Sequence, residues 1–479
     1  MARPSVSLLS PDEIRVIHET SLHVLREIGV VVPHQETLQR LQEAGATVDL
    51  SKKSARFPEE IVLRAIESAK KQYVLHGREP GAQARFGYGD QNLISSPGQF
   101  AWFDYDSRAR REPMLIDARS AITLGDALPH VTVVGAMTVP GDAAAAIRDV
   151  VLTSELVRGT GKPTRCWPVT RRSSEYVLEI YKAIAGGTQA LRARPMVEVF
   201  LEPISPLQLP ETGLDVMIPF LEHGQPVSIG PMVMASGTGP ATLAGTIAQE
   251  NAEILAGVTI VECLAPGTPV MFGGIPHLLD PRTAICAFGS PEQGLMAVAM
   301  AQLGHSYGFP VYINVNLTDS KLPDIQAGME KMGSFVLGML AGADLFGHAG
   351  IVGTDHGASL EWLVIDDEAM AYAQRVAQGF VVDEETLAMA VISRVGPGGN
   401  YLSDDHTVDH FRKEFFLPGP RWTRETFEVW KAGGGESMSE RAHAHVETIL
   451  ATHRVSPLDP ALDREVNRIV DAARTDLIG

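Results

Sequence analysis

The chain has 479 residues, 45% of them hydrophobic and 20% charged, enough to bury a large core without disulfide or metal staples. Its 58 acidic residues outnumber its 40 Lys and Arg, and the net charge of −18 opposes nucleic-acid phosphates and anionic lipid. Cys166, Cys263 and Cys286 form no CxxC pair, which excludes a disulfide scaffold and a thiolate zinc knuckle; with no N-terminal signal region and no membrane-spanning apolar run, a cytoplasmic protein is expected.

Residues 1–90 read as a helical N-terminal lead. Ser10-Pro11-Asp12-Glu13 supplies an N-cap, a proline at the first helical position and acids for the first turn. Ile14, Ile17, Leu22, Leu25 and Ile28 follow at helical spacing until Gly29. Further helices fit 35–44 and 58–70. From about residue 130, short apolar runs (131–139, 164–170, 196–201, 227–233, 270–274, 311–315, 345–349) alternate with helical patterns (142–158, 173–186, 211–223, 239–264, 291–307, 323–341, 361–378). Pro163, Pro195, Pro226, Pro269 and Pro310 open strands where the chain must leave a helix. Continuously apolar strands are those covered on both faces. Seven strand–helix units predict a parallel sheet, and an eighth strand from 92–103, or from a segment after 379, closes it. The expected fold is α/β: a (β/α)8 TIM-type barrel over 91–400, with a helical C-terminal extension over 401–479. The main competitor, a doubly wound open sheet, lacks its glycine-rich phosphate turn. Helices at 422–431, 436–453 and 460–477 pack outside the barrel or against another subunit of a homo-oligomer.

Several motifs fail. Gly237-Thr238-Gly239 has Thr242 where a dinucleotide loop needs its third glycine, and Gly159-Thr160-Gly161-Lys162 has Leu156 at the P-loop's first glycine. No HxH pair ends a strand, His348 and His356 lie eight apart, and the DxHxxG loop that holds cobalamin is absent. No tightly bound metal is expected.

In a barrel, chemistry sits at the C-terminal strand ends. Those ends carry Trp167, Glu202, Met232, Met234, His277, Asn314 with Asn316, and His348. Asn314 and Asn316, two apart on a strand, would share a face, bonding a ligand or a polar neighbour. Asp319, Lys321 and Asp324 suit either a ligand or helix capping with a local ion pair. Phe100, Trp102, Phe103 and Tyr105 form either core or an aromatic cage for a cation. The basic run Arg158, Lys162, Arg165, Arg171, Arg172 is either a solvated face or a docking patch.

The segment from Thr318-Asp319-Ser320-Lys321-Leu322-Pro323-Asp324 to Gly328 resembles one found in the trimethylamine:corrinoid methyltransferase family. So do Pro266-Gly267-Thr268-Pro269, Gly289-Ser290-Pro291-Glu292, Leu340-Ala341-Gly342-Ala343 with His348-Ala349-Gly350, the 382–387 stretch, and Val395-Gly396-Pro397-Gly398-Gly399, in the same order. The resemblance implies an α/β barrel moving a methyl group from a methylated amine to Co(I) of a corrinoid on a separate small protein. Founding members carry pyrrolysine; this chain has none, which points to the non-pyrrolysine branch typified by glycine betaine methyltransferases. Glu262 and Cys263 depart from the family pattern, so the substrate could differ: proline betaine, carnitine or γ-butyrobetaine, or a betaine bound without catalysis. A quaternary ammonium already carries a neutral leaving group, so no Lewis acid is required. On this reading His348, Asn314, Asn316, Asp319 and Glu292 are the expected catalytic residues. Phe100, Trp102, Trp167, Glu202, His277 and His348 bind substrate, and Asp319, Lys321, Asp324 and Gln326 face the corrinoid.

Overall fold

Seven short strands form one curled parallel sheet: β1 (Asn92–Ser95), β2 (Val131–Val133), β3 (Val199–Leu201), β4 (Val227–Ile229), β5 (Val270–Gly274), β6 (Val311–Asn314) and β7 (Leu345–Ala349). The computed structural model describes residues 2–479. The spatial order is β3-β4-β5-β6-β7-β1-β2, each neighbouring pair parallel. Both edges of the sheet meet one short segment: Thr164 makes parallel bridges to Val134 beyond β2 and to Val197 ahead of β3.

The strand-opening prolines have a second use. Lacking an N–H, each still offers a carbonyl, and neighbours take it: Val134 N–H donates to Pro163 O (2.8 Å), Val199 to Pro226 (3.1 Å), Val227 to Pro269 (3.0 Å) and Phe272 to Pro310 (2.9 Å). Side chains alternate across the strands. Val199, Leu201, Ile313 and Phe346 face outward into the main core, where the long helices pack; Phe200 and Tyr312 face inward.

Helix Pro11–His23 begins with the expected Ser10 N-cap, which Glu13 extends into a capping box, and the chain turns at Gly29, where φ is 79° and a Cβ would lie 2.3 Å from Ala55 O. The lead is not wholly helical, however. Val30–Val31, Thr47–Asp49 and Ser54–Arg56 form a small antiparallel sheet, and Tyr73–His76 pairs with Gln83–Phe86 as a hairpin. These strands are too short for periodicity to reveal. The hairpin closes the sheet's N-terminal end: His76 N–H donates to Pro195 O (2.8 Å), and Gly87 N–H donates to Asp344 Oδ1 (2.8 Å) just ahead of β7. Its buried Tyr73, Leu75, Ala84 and Phe86 pack with Ile94, Val133 and Met271 of the inner face.

Helix Leu115–Ala127 was not expected from the sequence. Helices Met438–Thr452 and Pro460–Leu477 lie against helices Leu360–Gln378 and Arg171–Ala185 respectively. No residue from 374 to 441 is buried, although this stretch holds three helices, Met389–Val395, Asp405–Glu414 and Phe427–Ala432. Among the described residues no helix is long and apolar enough to cross a membrane.

The basic run is neither a solvated face nor an open patch. Arg158 pairs with Asp463 (2.6 Å) and Arg172 with Asp476 (2.7 Å), tying the final helix down. Lys162 gives its ammonium to three carbonyls, of Gly125, Leu128 and Val131, and burial pulls its pKa down to about 8. Arg165 points inward.

Candidate functional site

The inner face of β3 sets out the site in layers. Residues two apart share a face, so Glu198, Phe200 and Glu202 rise in order from floor to mouth. At the floor, Glu198 accepts from the Tyr73 hydroxyl and pairs with the Arg165 guanidinium, both partners fully inside the protein. Arg165 comes from the segment joining the sheet edges. Its neighbours there face outward: Thr164 Oγ1 lies 2.6 Å from the Tyr181 hydroxyl, and Cys166 belongs to the outer core. The guanidinium sits 5.7 Å from the Phe200 ring centre and 5.6 Å from that of Tyr312. Its Nε has no hydrogen-bond partner.

Above this floor, the Tyr312 hydroxyl lies 3.1 Å from His348 Nε2. Pairing of β7 with β1 shifts register between Phe346 and Ala349, the stretch that contains His348. Burial, with Arg165 nearby, pulls the His348 pKa down to about 3, so the imidazole is neutral at ordinary pH. Burial raises the Tyr312 phenol well above its usual range.

Two acids occupy the mouth. Glu202, just past β3, lines a cavity of about 230 Å³ with Trp167, Phe200 and Val169, and burial raises its carboxyl. Asp355, in the loop after β7, accepts from Gln99 Nε2 (2.9 Å). Burial, together with the Glu202 charge, pushes Asp355 up to about 7. Both acids act on Tyr312, and Asp355 also acts on Cys286, whose thiol burial pushes up to about 12. That thiol is not a nucleophile in this setting. Trp167 is 48% exposed at the rim and packs on Phe200, ring centres 6.1 Å apart. Among the described residues no group of three or more His, Cys, Asp or Glu could hold a metal ion.

The expected site residues divide. His348 lies deeper, beside Tyr312, and Trp167 and Glu202 meet at the mouth. Asn314 is buried there too, two residues along the inner face from Tyr312, its Oδ1 unpartnered. His277 is fully buried at one side, Nδ1 2.7 Å from Ile275 O, its ring 4.5 Å from Phe288 and its pKa pulled by burial down to about 4.

Asn316 does not share the Asn314 face. The strand ends at Asn314, and Asn316 has φ 64°; it lies outside the sheet in a cavity shared with Lys331, Asp366 and Trp362. Its carbonyl accepts from Lys331 Nζ (3.0 Å). Trp102 is core rather than cage: it is 5% exposed, in a strand Trp102–Phe103 pairing with Arg110–Arg111 and touching Gly357–Ala358. Phe100 is 78% exposed and borders a separate apolar cavity of about 410 Å³ that shares Trp167.

The 319–326 segment is satisfied by its own chain neighbours and the 288–289 turn. Asp319 accepts from Phe288 and Gly289 N–H (2.9 and 3.1 Å), and Lys321 Nζ donates to Asp319 O (2.6 Å). Asp324 caps helix Ile325–Leu340, and Gln326 donates to Glu330 (2.8 Å). Glu292 sits in the first turn of helix Pro291–Ser306, as acids at helix starts commonly do.

Tyr312, Asp355, Gln99 and Glu198 escaped the sequence reading, and Arg165 figures there only as one of a basic run. Two of them had a signal: a lone Arg in an otherwise apolar strand run, and a Tyr two residues before Asn314 on the same face.

The family model described as trimethylamine methyltransferase (MTTB) matches residues 1–478. This chain belongs to the trimethylamine methyltransferase family. It is 32% identical over 470 residues to a glycine betaine methyltransferase of Desulfitobacterium hafniense, covering 98% of this chain and 97% of that one. It is 31% identical over 484 residues to the trimethylamine methyltransferase MttB of Methanosarcina barkeri, covering 98% and 95%. The crystal structure of a hydroxylamine complex of MtmB superposes with a TM-score of 0.50 at 12% identity, over 98% of this chain and 92% of that one, a likeness of fold alone. The chain is therefore a methyltransferase by family.

Proposed function

We propose that this methyltransferase takes a methyl group from a quaternary amine, with glycine betaine the leading substrate, and delivers it to the cobalt of a corrinoid carried by a separate small protein, leaving the tertiary amine. The observation that carries this reading is the mouth itself: aromatic faces of Trp167, Phe200 and Tyr312 beside inward-facing polar groups, in a chain of this family. The sheet is read as a (β/α)8 barrel, with the 163–167 segment as the eighth strand between β2 and β3.

The corrinoid supplies a strong nucleophile when present. A flat macrocycle needs an apolar rim to rest on, and the exposed Phe100, Trp167 and Val169 beside the mouth fit that need. This chain's residues do the rest: the aromatic faces desolvate the cation, the narrow lumen fixes its direction, and neutral His348 with Tyr312 offers hydrogen bonds to a carboxylate deeper in. The exposed, nowhere-buried 374–441 stretch, with Phe380, Leu402, Phe415 and Phe427 outward, is read as covered by a second copy of the chain. Light scattering tests that point.

The test of function is anaerobic incubation with chemically reduced cobalamin and a panel of quaternary and tertiary amines. Loss of the Co(I) absorbance with formation of dimethylglycine from glycine betaine is expected. Folded protein that converts no quaternary amine would sink the proposal.

A further inference from the structure

The inner layers differ in sign from one end to the other. Deep in the lumen stands the Arg165–Glu198 ion pair, whose guanidinium leaves its Nε–H unpartnered. At the mouth stand two carboxyl groups on different strands' loops, Glu202 beside Trp167 and Phe200, and Asp355 bonded to Gln99, with the Glu202 charge felt at Asp355. Among the described residues no Lys or Arg pairs with either one; the Asp355 contact is the neutral amide of Gln99. Two acids alone would be a chance cluster, but a further buried polar group stands on the same inner face. Asn314 is 4% exposed, follows Tyr312 by two residues on the inner face, and leaves its amide oxygen Oδ1 without a partner at the level of the mouth. Carboxylate oxygens, an amide oxygen and the faces of Trp167 and Phe200 are all electron-rich. One kind of ligand suits such a set: a cation too large and too poorly hydrated to demand a tight shell of hydrogen bonds.

We propose that Glu202 and Asp355, with the Trp167 and Phe200 rings, form the seat that reads the positive charge of the substrate, and that the lumen's sign gradient sets a zwitterion carboxylate-inward and onium-outward. This rests on the quaternary-amine reading and adds the residues that enforce it. An onium held at the mouth turns its methyl groups to the opening, where an acceptor must approach, while Arg165 and His348 face the anionic end. A neutral molecule of the same shape gains nothing from the acids and leaves two carboxylates desolvated.

The test compares two ligands of matched shape on the full-length protein without corrinoid: glycine betaine, and 3,3-dimethylbutanoate, in which carbon replaces nitrogen and the positive charge is gone. Tetramethylammonium serves as a third probe with no carboxylate. Binding is followed by calorimetry and by Trp167 fluorescence. Wild type should favour betaine over its neutral-headed analogue by about 10-fold or more. Glu202→Gln and Asp355→Asn, which keep shape, should each weaken betaine and tetramethylammonium by about 10-fold while leaving 3,3-dimethylbutanoate unchanged or tighter. A wild type that binds no onium at millimolar concentration, or variants that weaken charged and uncharged ligands alike, would overturn the seat. Methyl transfer is scored separately: failure to transfer with the ligand preference intact removes the proposed function and leaves the seat standing, and transfer that is indifferent to both substitutions does the reverse.

Discussion

Two polar regions lie on either side of the strand ends. On the outside, the 316–331 segment and its neighbours close on one another, the Asn316 side-chain amide excepted: Lys331 bonds both Asp366 oxygens (3.1 and 3.0 Å) and Asn316 O, Asp324 caps its own helix, and Thr318 donates to Glu330 (2.6 Å). On the inside, Glu202 lines a cavity, Asn314 leaves its amide oxygen unpartnered, and His348 and Asp355 each hold one neutral partner, Tyr312 and Gln99. The outer region is denser in polar residues along the chain; the inner one is assembled from the ends of three separate strands. Satisfied polar groups hold a structure together, and unsatisfied ones in a cavity wait for something else.

That contrast breaks most visibly at Lys331. Lys331→Ala would strand the fully buried Asp366, and a loss of about 3–5 kcal/mol in stability is expected by urea denaturation. On the inner side, His348→Ala should leave the urea midpoint nearly unchanged and raise the apparent KM for glycine betaine by about 5–150-fold, the loss of one hydrogen bond of roughly 1–3 kcal/mol. The effect should shrink for choline, which has no carboxylate. A histidine whose removal moves stability but not KM would belong to the outer kind.

Asp355 sharpens the comparison through pH. Its folded carboxyl titrates near 7 against 3.8 for the free side chain, so the folded state keeps a proton the unfolded chain has lost. Its contribution is fully present below about pH 4 and is lost as pH rises through 7. Melting curves between pH 5 and 8 should show that decline, and Asp355→Asn should flatten it. The smallest effect belongs to the outer region's cap: Asp324→Ala should cost about 1 kcal/mol and leave KM for betaine where it was. A tenfold rise in KM would return the 319–326 segment to the site.

The long elements were legible from the chain. Helix Pro460–Leu477 runs as its pattern predicts, β5 and β7 coincide with the apolar runs at 270–274 and 345–349, and β1 comes from the 92–103 stretch proposed to complete the sheet. Their signals are strong because periodicity and proline punctuation agree. The site was legible in part. Strand ends pointed to Trp167, Glu202, Asn314 and His348, because strand order alone puts them at one end. Asn316 misled, since alternation stops where the backbone turns to positive φ. Trp102 misled because an aromatic in a short strand buries as readily as it lines a cage. Arg165 was lost in a run of basic residues that share nothing in space, and Asp355 comes from a loop whose fold no local pattern records.

The hairpin of Tyr73–His76 and Gln83–Phe86 that stops the N-terminal end of the sheet has a kinetic consequence. If the sheet closes as the barrel proposed above, that plugged end, with the Tyr73–Glu198–Arg165 contacts behind it, leaves the mouth as the way in and out. Under the proposed reaction, the carrier protein that collects the methyl group covers the same opening through which the amine arrives. The amine must then enter before the carrier docks, and its demethylated remainder must wait for the carrier to leave, so turnover follows a compulsory order dictated by a closed door at the back.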